Sequence, residues 1–320
     1  PLDVFARVGA GAPWTLFVSW HPPHNHRTRS PDHYYGYSAP REYLDRYEYE
    51  AVRVREGTPD TEENRRMMHG YMALVSSIDD CFGMLMDKLR ERGMDENTIV
   101  VYTADHGDML KKQDGRYFVK SHAESQSSQV PFMIRWPGFL RGGDRSALPF
   151  GTLDIMPTLL SMMGAEPPES CHGRDLSRAL LQGDEDGRES VPMFMCSCTE
   201  WRGAATREWI YSYDPRYRGP GQWPHDTNAL YDRKQDPQCL NNLYGMPEYR
   251  EAQERMHRIT QDWMAYFDDP FMPYVALRDS VIDPDDRNGK PYIDFWDPDS
   301  KGVPRQRPID AARAWARKKG

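Results

Sequence analysis

The sequence predicts an α/β protein, with a doubly wound sheet core over residues 1–187 and a smaller α+β subdomain over residues 188–320. Two observations favour this class. A long amphipathic pattern is followed closely by the β-rich run Asn97–Thr103, which gives the helix-to-strand half of a βαβ unit. After the polar linker Gly183–Gly187 the pattern changes to short β-rich segments and one further helix, as in an α+β unit.

Composition excludes several classes of function. The 320 residues carry 41 basic and 49 acidic side chains, a formal net charge of −8. Proteins that bind nucleic acid use many basic side chains against the phosphates, so no nucleic-acid partner is expected. The longest apolar runs fall far short of the ~20 residues that a membrane-spanning helix needs. The five cysteines are scattered and lack the paired spacing of a zinc site.

Four elements are predicted in the first half of the core. Trp14–Trp20 is an aromatic and β-branched run, expected to form a buried strand. An amphipathic helix begins at Thr61, with Thr61 or Asp60 as its N-cap, and ends at Gly93. Asn97–Thr103 lacks alternation, which is typical of a strand in a parallel sheet covered on both faces. Gln129–Trp136 is predicted as the next strand.

The second half of the chain is predicted to hold three further helices and three antiparallel strands. The helices are Leu153–Met163, Ser177–Leu181 and Glu248–Phe267, and the strands are Val191–Cys198, Trp209–Tyr213 and Ala229–Asp232. The tail from residue 268 is rich in proline and aspartate and is expected to wrap the surface.

Polar residues that could bind a metal directly follow one predicted strand. In open α/β sheets, ligands bind beyond the carboxyl ends of the strands. Asp105 and His106 stand at such an end, and oxygen-rich coordination with one nitrogen suits Ca²⁺, Mg²⁺ or Mn²⁺. The alternative interpretation is a capping aspartate beside an ordinary surface histidine.

Two other residues suit acid–base or anion-binding chemistry. His24 lies in a loop stiffened by prolines, which would hold its ring as a general acid, although a plain histidine-rich surface loop explains the pattern too. Lys120 follows Phe118-Val119, where an ammonium beside an aromatic pocket would bind an anionic oxygen as a point charge. An ordinary solvated lysine is its alternative.

Six groups of segments occur in one order with characteristic gaps. They are Phe17–His24, Ile78–Asp80, Asn97–Leu110, Lys120 with Val130–Gly138, Leu153–Leu160 with Gly173–Leu176, and Leu230–Asp232 with Asn241–Leu243. In this order they resemble the sulfatase family of the alkaline phosphatase superfamily, over nearly the whole chain. The resemblance implies an alkaline-phosphatase-like sheet core.

The resemblance also implies hydrolysis of a sulfate ester by a formylglycine nucleophile and a divalent metal, usually calcium. It implies that Asp105 and His106 are metal ligands. It makes His24 and Lys120 catalytic and sulfate-binding, with His24 assisting the leaving oxygen and Lys120 holding the bridging oxygen. Positive charge around a spread oxyanion is the main catalytic resource in such transfers. A sulfated small molecule or glycan is the implied substrate, and a periplasmic or secreted location is favoured.

The sequence departs from the family pattern in two places. The Cys-x-Pro-x-Arg or Ser-x-Pro-x-Arg motif that yields formylglycine is absent from the 320 residues, as is the family's N-terminal aspartate pair. We therefore expect an inactive fragment whose nucleophile and first metal ligands lie upstream, with a naturally short inactive protein as the alternative. The family's histidine before Lys120 is also missing, and His122 is a candidate substitute contact to the substrate.

Two other functions remain open from the sequence. A phosphonate or phosphate ester hydrolase of the same superfamily shares the Asp-His-Gly-Asp arrangement. A non-catalytic glycan-binding relative would keep the fold without the activity.

Overall fold

A computed structural model describes residues 13–25, 36–113, 116–118, 120–183, 188–196, 200–214 and 228–269. Contacts divide the chain into two compact units. The first takes its described residues from 1–120, 129–146 and 180–182, and the second from 121–128, 147–179 and 183–320. The sequence placed a domain boundary at residue 187, and that boundary stays a prediction.

The first unit is built on one long helix. A short helix, α1 (Arg41–Leu44), precedes helix α2 (Glu62–Glu91). At the start of α2 the Thr61 hydroxyl accepts the amide of Asn64 at 3.2 Å, which satisfies one of the free N–H groups of the first turn. After the last turn Gly93 takes a left-handed φ of +62°, which glycine adopts without steric cost. Both predicted ends of this helix are confirmed.

The core of the first unit packs one side of α2 against the segment before it and against Leu110. Its buried members are Tyr37, Val52, Met67, Met68, Leu74 and Leu110. Gly70 permits this packing, because a Cβ at Gly70 would lie 2.0 Å from the carbonyl oxygen of Tyr37. The chain at Tyr37 therefore rests directly on the backbone of α2.

Two strand pairs complete the first unit. Strands β1 (Val100–Thr103) and β4 (Phe132–Arg135) pair antiparallel. Strands β2 (Lys111–Gln113) and β3 (Arg116–Phe118) form an antiparallel hairpin that leads towards residue 120. The hairpin was not predicted, because its charged residues carry no apolar pattern.

Two strand predictions for this unit are wrong. Trp14–Trp20 pairs with no other described segment, and its exposed and half-buried residues alternate, with Phe17 89% exposed. A β-rich composition forms a strand only where a partner supplies ladder hydrogen bonds. Strand β1 is half-buried and antiparallel to its described partner rather than buried and parallel, because a short apolar run does not fix the direction of pairing.

The second unit contains one antiparallel sheet of four strands in the order β5-β6-β7-β8. The strands are β5 (Ser190–Cys196), β6 (Glu200–Thr206), β7 (Trp209–Tyr213) and β8 (Ala229–Asp232). The remaining α-helices of the described chain are α3 (Ser125–Ser128), α4 (Ile155–Met162), α5 (Ser177–Gln182) and α6 (Arg250–Tyr266). None of the helices described is long and apolar enough to cross a membrane. The predicted tail lies outside the described residues beyond residue 269.

Both faces of this sheet are covered. Tyr211 and Leu230 pack with Met256 of α6 on one face, while Trp201 and Ile210 pack with Ala123 on the other. Residues on opposite faces of β6, β7 and β8 thus enter different cores. The three predicted strands and the final helix are confirmed. The bounds of β7 and β8 match the prediction, and those of β5 and α6 differ by one or two residues at each end.

Candidate active site

The His24 imidazole is oriented by its own loop. A turn is closed by the His24 amide, which donates to the carbonyl of His21 at 3.0 Å. Nδ1 of the ring lies 2.7 Å from the carbonyl oxygen of Asn25. Because a carbonyl oxygen only accepts, Nδ1 carries the proton and Nε2 keeps its lone pair. Nε2 is therefore the ring nitrogen that can accept a hydrogen bond from another segment.

The His106 imidazole is held in the same manner after strand β1. Its Nδ1 lies 2.8 Å from the carbonyl oxygen of Gly107, so Nδ1 donates and Nε2 has the lone pair. The His106 amide donates to Oδ1 of Asp105 at 2.9 Å. Asp105 and His106, which follow strand β1, thus bring a carboxylate and an imidazole close to each other.

Lys120 joins the two histidines. Its Nζ lies 3.2 Å from Nε2 of His24 and 3.1 Å from Nε2 of His106. Both nitrogens are acceptors, so the ammonium donates one N–H to each ring and retains a third. His24 lies 96 positions and His106 lies 14 positions before Lys120 in the sequence, and both therefore meet at its positive charge. All three side chains belong to the first unit.

Asp105 and His106 fit two positions of a hard-cation site. Oδ2 of Asp105 lies 3.5 Å from Nε2 of His106, and the Asp105 side chain is 86% exposed. Neighbouring ligands at calcium distances stand roughly 3 to 3.5 Å apart, so one cation can be reached by both atoms. A ligating histidine usually donates its other N–H to a carbonyl or carboxylate, as His106 does to Gly107. Among the residues the structure describes, no group of three or more His, Cys, Asp or Glu side chains could hold a metal.

Asp108 anchors this loop two residues after His106. Its Oδ2 accepts the Tyr37 hydroxyl at 2.7 Å, and its Oδ1 accepts the Leu110 amide at 3.0 Å. The guanidinium of Arg55 donates to its carbonyl oxygen. The pKa of the Asp108 carboxyl and the pKa of the Tyr37 hydroxyl are both raised, and burial is the main cause in each case. The carboxylate is thus embedded, unlike that of Asp105.

His122 lies in the second unit and is buried, with 9% exposure. Its amide donates to the Ser127 hydroxyl at 3.2 Å, and its Nδ1 lies 4.0 Å from Oε2 of Glu124. These contacts give it a defined local setting. A contact of His122 with substrate stays a prediction.

The structure brings three of the five predicted residues into direct contact. His24, His106 and Lys120 share hydrogen bonds, and Asp105 adjoins them through His106. The roles assigned to them remain predictions.

Sequence reasoning missed two residues that hold the loop. Tyr37 and Arg55 stand 71 and 53 positions before Asp108, in a polar stretch without periodicity. Asp108 belongs to the quoted motif, but only the structure shows what it binds.

Comparison with known proteins defines the family. The sulfatase family model matches residues 5–165, and the model for the C-terminal part of N-sulphoglucosamine sulphohydrolase matches residues 114–265. An ulvan-active sulfatase of Formosa agariphila is 30% identical over 273 residues, which cover 81% of this chain and 51% of that relative.

Solved structures agree with these matches. The yidJ protein from Bacteroides fragilis superimposes with a TM-score of 0.62 at 27% identity, covering 73% of this chain and 51% of that one. BT4656, solved in complex with its substrate D-glucosamine-2-N,6-O-disulfate, gives 0.56 at 25% identity, covering 64% and 42%.

The fold is therefore the alkaline-phosphatase-like α/β fold that the sequence predicted. The chain belongs to the sulfatase family. It spans about half the length of the curated relatives it matches.

Proposed function

We propose that this chain supplies the sulfate-binding side and part of the metal site of a sulfate ester hydrolase. The observation that carries the proposal is the ammonium of Lys120, held between the Nε2 atoms of His24 and His106. A fixed ammonium with an unused N–H can stabilise an oxyanion, because the ammonium does not have to reorient as negative charge develops on the oxygen. The family membership of the chain supports the same chemistry.

Each residue has a distinct part in this proposal. Lys120 places its positive charge on a sulfate oxygen, including the bridging oxygen on which charge grows. His24 presents Nε2, since Nδ1 is engaged by Asn25. Nε2 accepts from Lys120 at 3.2 Å, so the proton that His24 passes to the leaving oxygen is proposed to reach Nε2 from the Lys120 ammonium. His122 is proposed as a further contact to the substrate.

Asp105 and His106 are proposed to hold a divalent cation, with Ca²⁺ preferred and Mg²⁺ or Mn²⁺ as alternatives. A bound cation supplies Lewis-acid stabilisation of the sulfate oxygens. The formylglycine motif does not occur in the 320 residues. We therefore propose that the chain alone binds the oxyanion without turnover, and that sulfate release requires a segment bearing the nucleophile.

A sulfated sugar is the proposed substrate class. The relative from Formosa agariphila is named for ulvan, and BT4656 was solved with a disulfated glucosamine. Both names belong to those proteins, and they support the class rather than one particular sugar.

Binding of inorganic sulfate to the 320-residue chain tests the proposal. Titration calorimetry with sulfate, in the presence of Ca²⁺, should show binding that weakens at least about tenfold in Lys120→Ala, since a charge-assisted contact contributes on the order of 1.5 kcal/mol or more. Lys234→Ala is the matched control, because that exposed lysine pairs with Glu208 at 2.7 Å in the second unit. Equal affinities in the three proteins would refute the proposal.

Parallel titrations separate the rival functions. Tighter binding of inorganic phosphate than of sulfate, with the same dependence on Lys120, would favour a phosphate or phosphonate ester hydrolase. Binding of a sulfated glycan that is insensitive to both Ca²⁺ and Lys120→Ala would favour the non-catalytic glycan-binding relative.

A further inference from the structure

Asp108 is fixed at three atoms by groups from different parts of the first unit. The hydroxyl of Tyr37 and the amide of Leu110 donate to its two carboxylate oxygens at 2.7 and 3.0 Å. The guanidinium of Arg55 donates to its carbonyl oxygen. Both the carboxylate and the backbone carbonyl of Asp108 are therefore restrained.

The donors are themselves held in place. Tyr37 is 6% exposed, and its carbonyl oxygen rests against Gly70, where α2 has no Cβ. The Tyr37 ring meets the Tyr71 ring edge-on, with centroids 5.9 Å apart. The Arg55 guanidinium lies over the same Tyr71 ring at 5.9 Å. These contacts tie Asp108 to the core along α2.

The restraint passes to His106 through one peptide unit. The carbonyl of Gly107 and the amide nitrogen of Asp108 lie in a single rigid plane. Gly107 has no side chain to limit its backbone, so the position of Asp108 decides where that carbonyl points. This carbonyl oxygen accepts Nδ1–H of His106 at 2.8 Å, which leaves Nε2 as the acceptor facing Lys120.

We propose that Tyr37 and Arg55 make Asp108 a positioning residue, which fixes the direction of the His106 ring and acts with the Lys120 ammonium to set its tautomer. The inference adds a positioning role to the proposed metal site. It depends on the proposed function only for the expected change in cation affinity. The ring tautomer is a property of the chain itself and can be measured without any metal.

Tyr37→Phe tests this inference in the full 320-residue chain. It removes one hydroxyl and preserves the packed ring. Tyr47→Phe is the matched control, because the Tyr47 hydroxyl bonds to the Ser76 hydroxyl at 2.6 Å in the same unit, away from Asp108. Both variants lose one partly buried hydrogen bond, and Tyr37→Phe is expected to lose more stability because its acceptor is a carboxylate.

The decisive readout is the pair of ¹⁵N chemical shifts of the His106 ring, which distinguish protonated from unprotonated nitrogens. In Tyr37→Phe we expect the shifts to move part of the way towards those of the other tautomer, because Lys120 still donates to Nε2. In Tyr47→Phe we expect the wild-type shifts. Calorimetric affinity for Ca²⁺ should fall in Tyr37→Phe alone, by less than the roughly 10- to 100-fold lost when the direct partner of a ligand is removed, because Tyr37 acts through Asp108 and the Gly107 carbonyl.

Wild-type ring shifts in Tyr37→Phe would overturn the inference, even if that variant were less stable. If the wild-type chain binds no Ca²⁺ while Tyr37→Phe still changes the tautomer, the metal proposal fails and the positioning role stands. Should Tyr37→Phe not fold, Arg55→Met releases Asp108 from its carbonyl side, and the same change of tautomer is expected.

Discussion

Nζ of Lys120 lies 3.1 Å from Nε2 of His106, and Oδ2 of Asp105 lies 3.5 Å from that same ring nitrogen. The lone pair on Nε2 of His106 thus faces both the Lys120 ammonium and the position proposed for a divalent cation. Two positive groups that share one acceptor must oppose each other, whereas both attract the same oxyanion. Lys120 is therefore expected to act oppositely on cation and sulfate binding.

Lys120→Met should tighten Ca²⁺ binding by about tenfold while it weakens sulfate binding. Removing a unit charge a few ångströms from a divalent ion relieves about 1 to 2 kcal/mol of repulsion even at the dielectric constant of water. Lys88→Met, which breaks an exposed pair with Glu91, is the control and should change neither affinity. Calorimetry with each ion provides the measurement, and a loss of Ca²⁺ affinity in Lys120→Met would contradict the shared-acceptor arrangement.

Gly70→Ala should destabilise the chain by about 1 to 3 kcal/mol, although alanine favours helices. Its Cβ would stand 2.0 Å from the Tyr37 carbonyl oxygen, so the packed backbone must move. Gly83→Ala in the same helix meets nothing within 4 Å and should instead stabilise by about 0.5 to 1 kcal/mol. Urea unfolding measures both, and equal shifts of the midpoints would show that the contact at Gly70 has no energetic consequence.

Asp154→Ala should cost about 3 to 5 kcal/mol, because it leaves a charge buried without its partner. The side chains of Asp154 and Arg188 are 0% and 2% exposed and form an ion pair. Asp87→Ala is the matched control, since Asp87 and Arg90 form an exposed pair for which less than about 1 kcal/mol is expected. The comparison uses free energies of unfolding, and similar losses in the two variants would contradict the importance of burial.

Acidification should destabilise the chain through His257. Burial lowers the pKa of His257 below its ordinary value of 6.5, and the Tyr211 hydroxyl lies 2.9 Å from its Nδ1, while the Tyr213 ring lies 4.6 Å away. The unfolded chain takes up the proton more readily than the folded one. The contribution of neutral His257 to the free energy of unfolding is therefore fully present above pH 6.5. It is lost as the pH falls through the lowered pKa of the folded state. In His257→Gln, unfolding free energies measured from pH 7 to 5 should fall less steeply, and an unchanged slope would count against this histidine.

Local rules explain which elements the sequence predicts well. Helix α2 needs only a cap at Thr61, an apolar stripe and Gly93, all of which act within a few residues. Strand β6 was missed because Gly203 and two alanines give it little β-propensity. Gly203 is nevertheless suited to the sheet, since a Cβ there would lie 2.0 Å from the carbonyl oxygen of Tyr211.

Contacts between distant segments explain what the sequence could not predict. The residue types of the site follow from the motif around Asp105 and from the family resemblance. The bridge from Lys120 to His24 spans 96 positions, and the bond from Tyr37 to Asp108 spans 71. No periodicity links such positions, so only the folded chain reveals that the predicted side chains meet.

The exposure of Asp105 bears on how the protein must be handled. A calcium ion takes six to eight oxygen ligands, whereas Asp105 and His106 offer one open carboxylate and one ring nitrogen. An ion held by this pair alone keeps most of its hydration shell, so it exchanges readily with the solvent. Chelating buffers and long dialysis would strip such an ion, and the composition of the purification buffer would decide what any later assay observes.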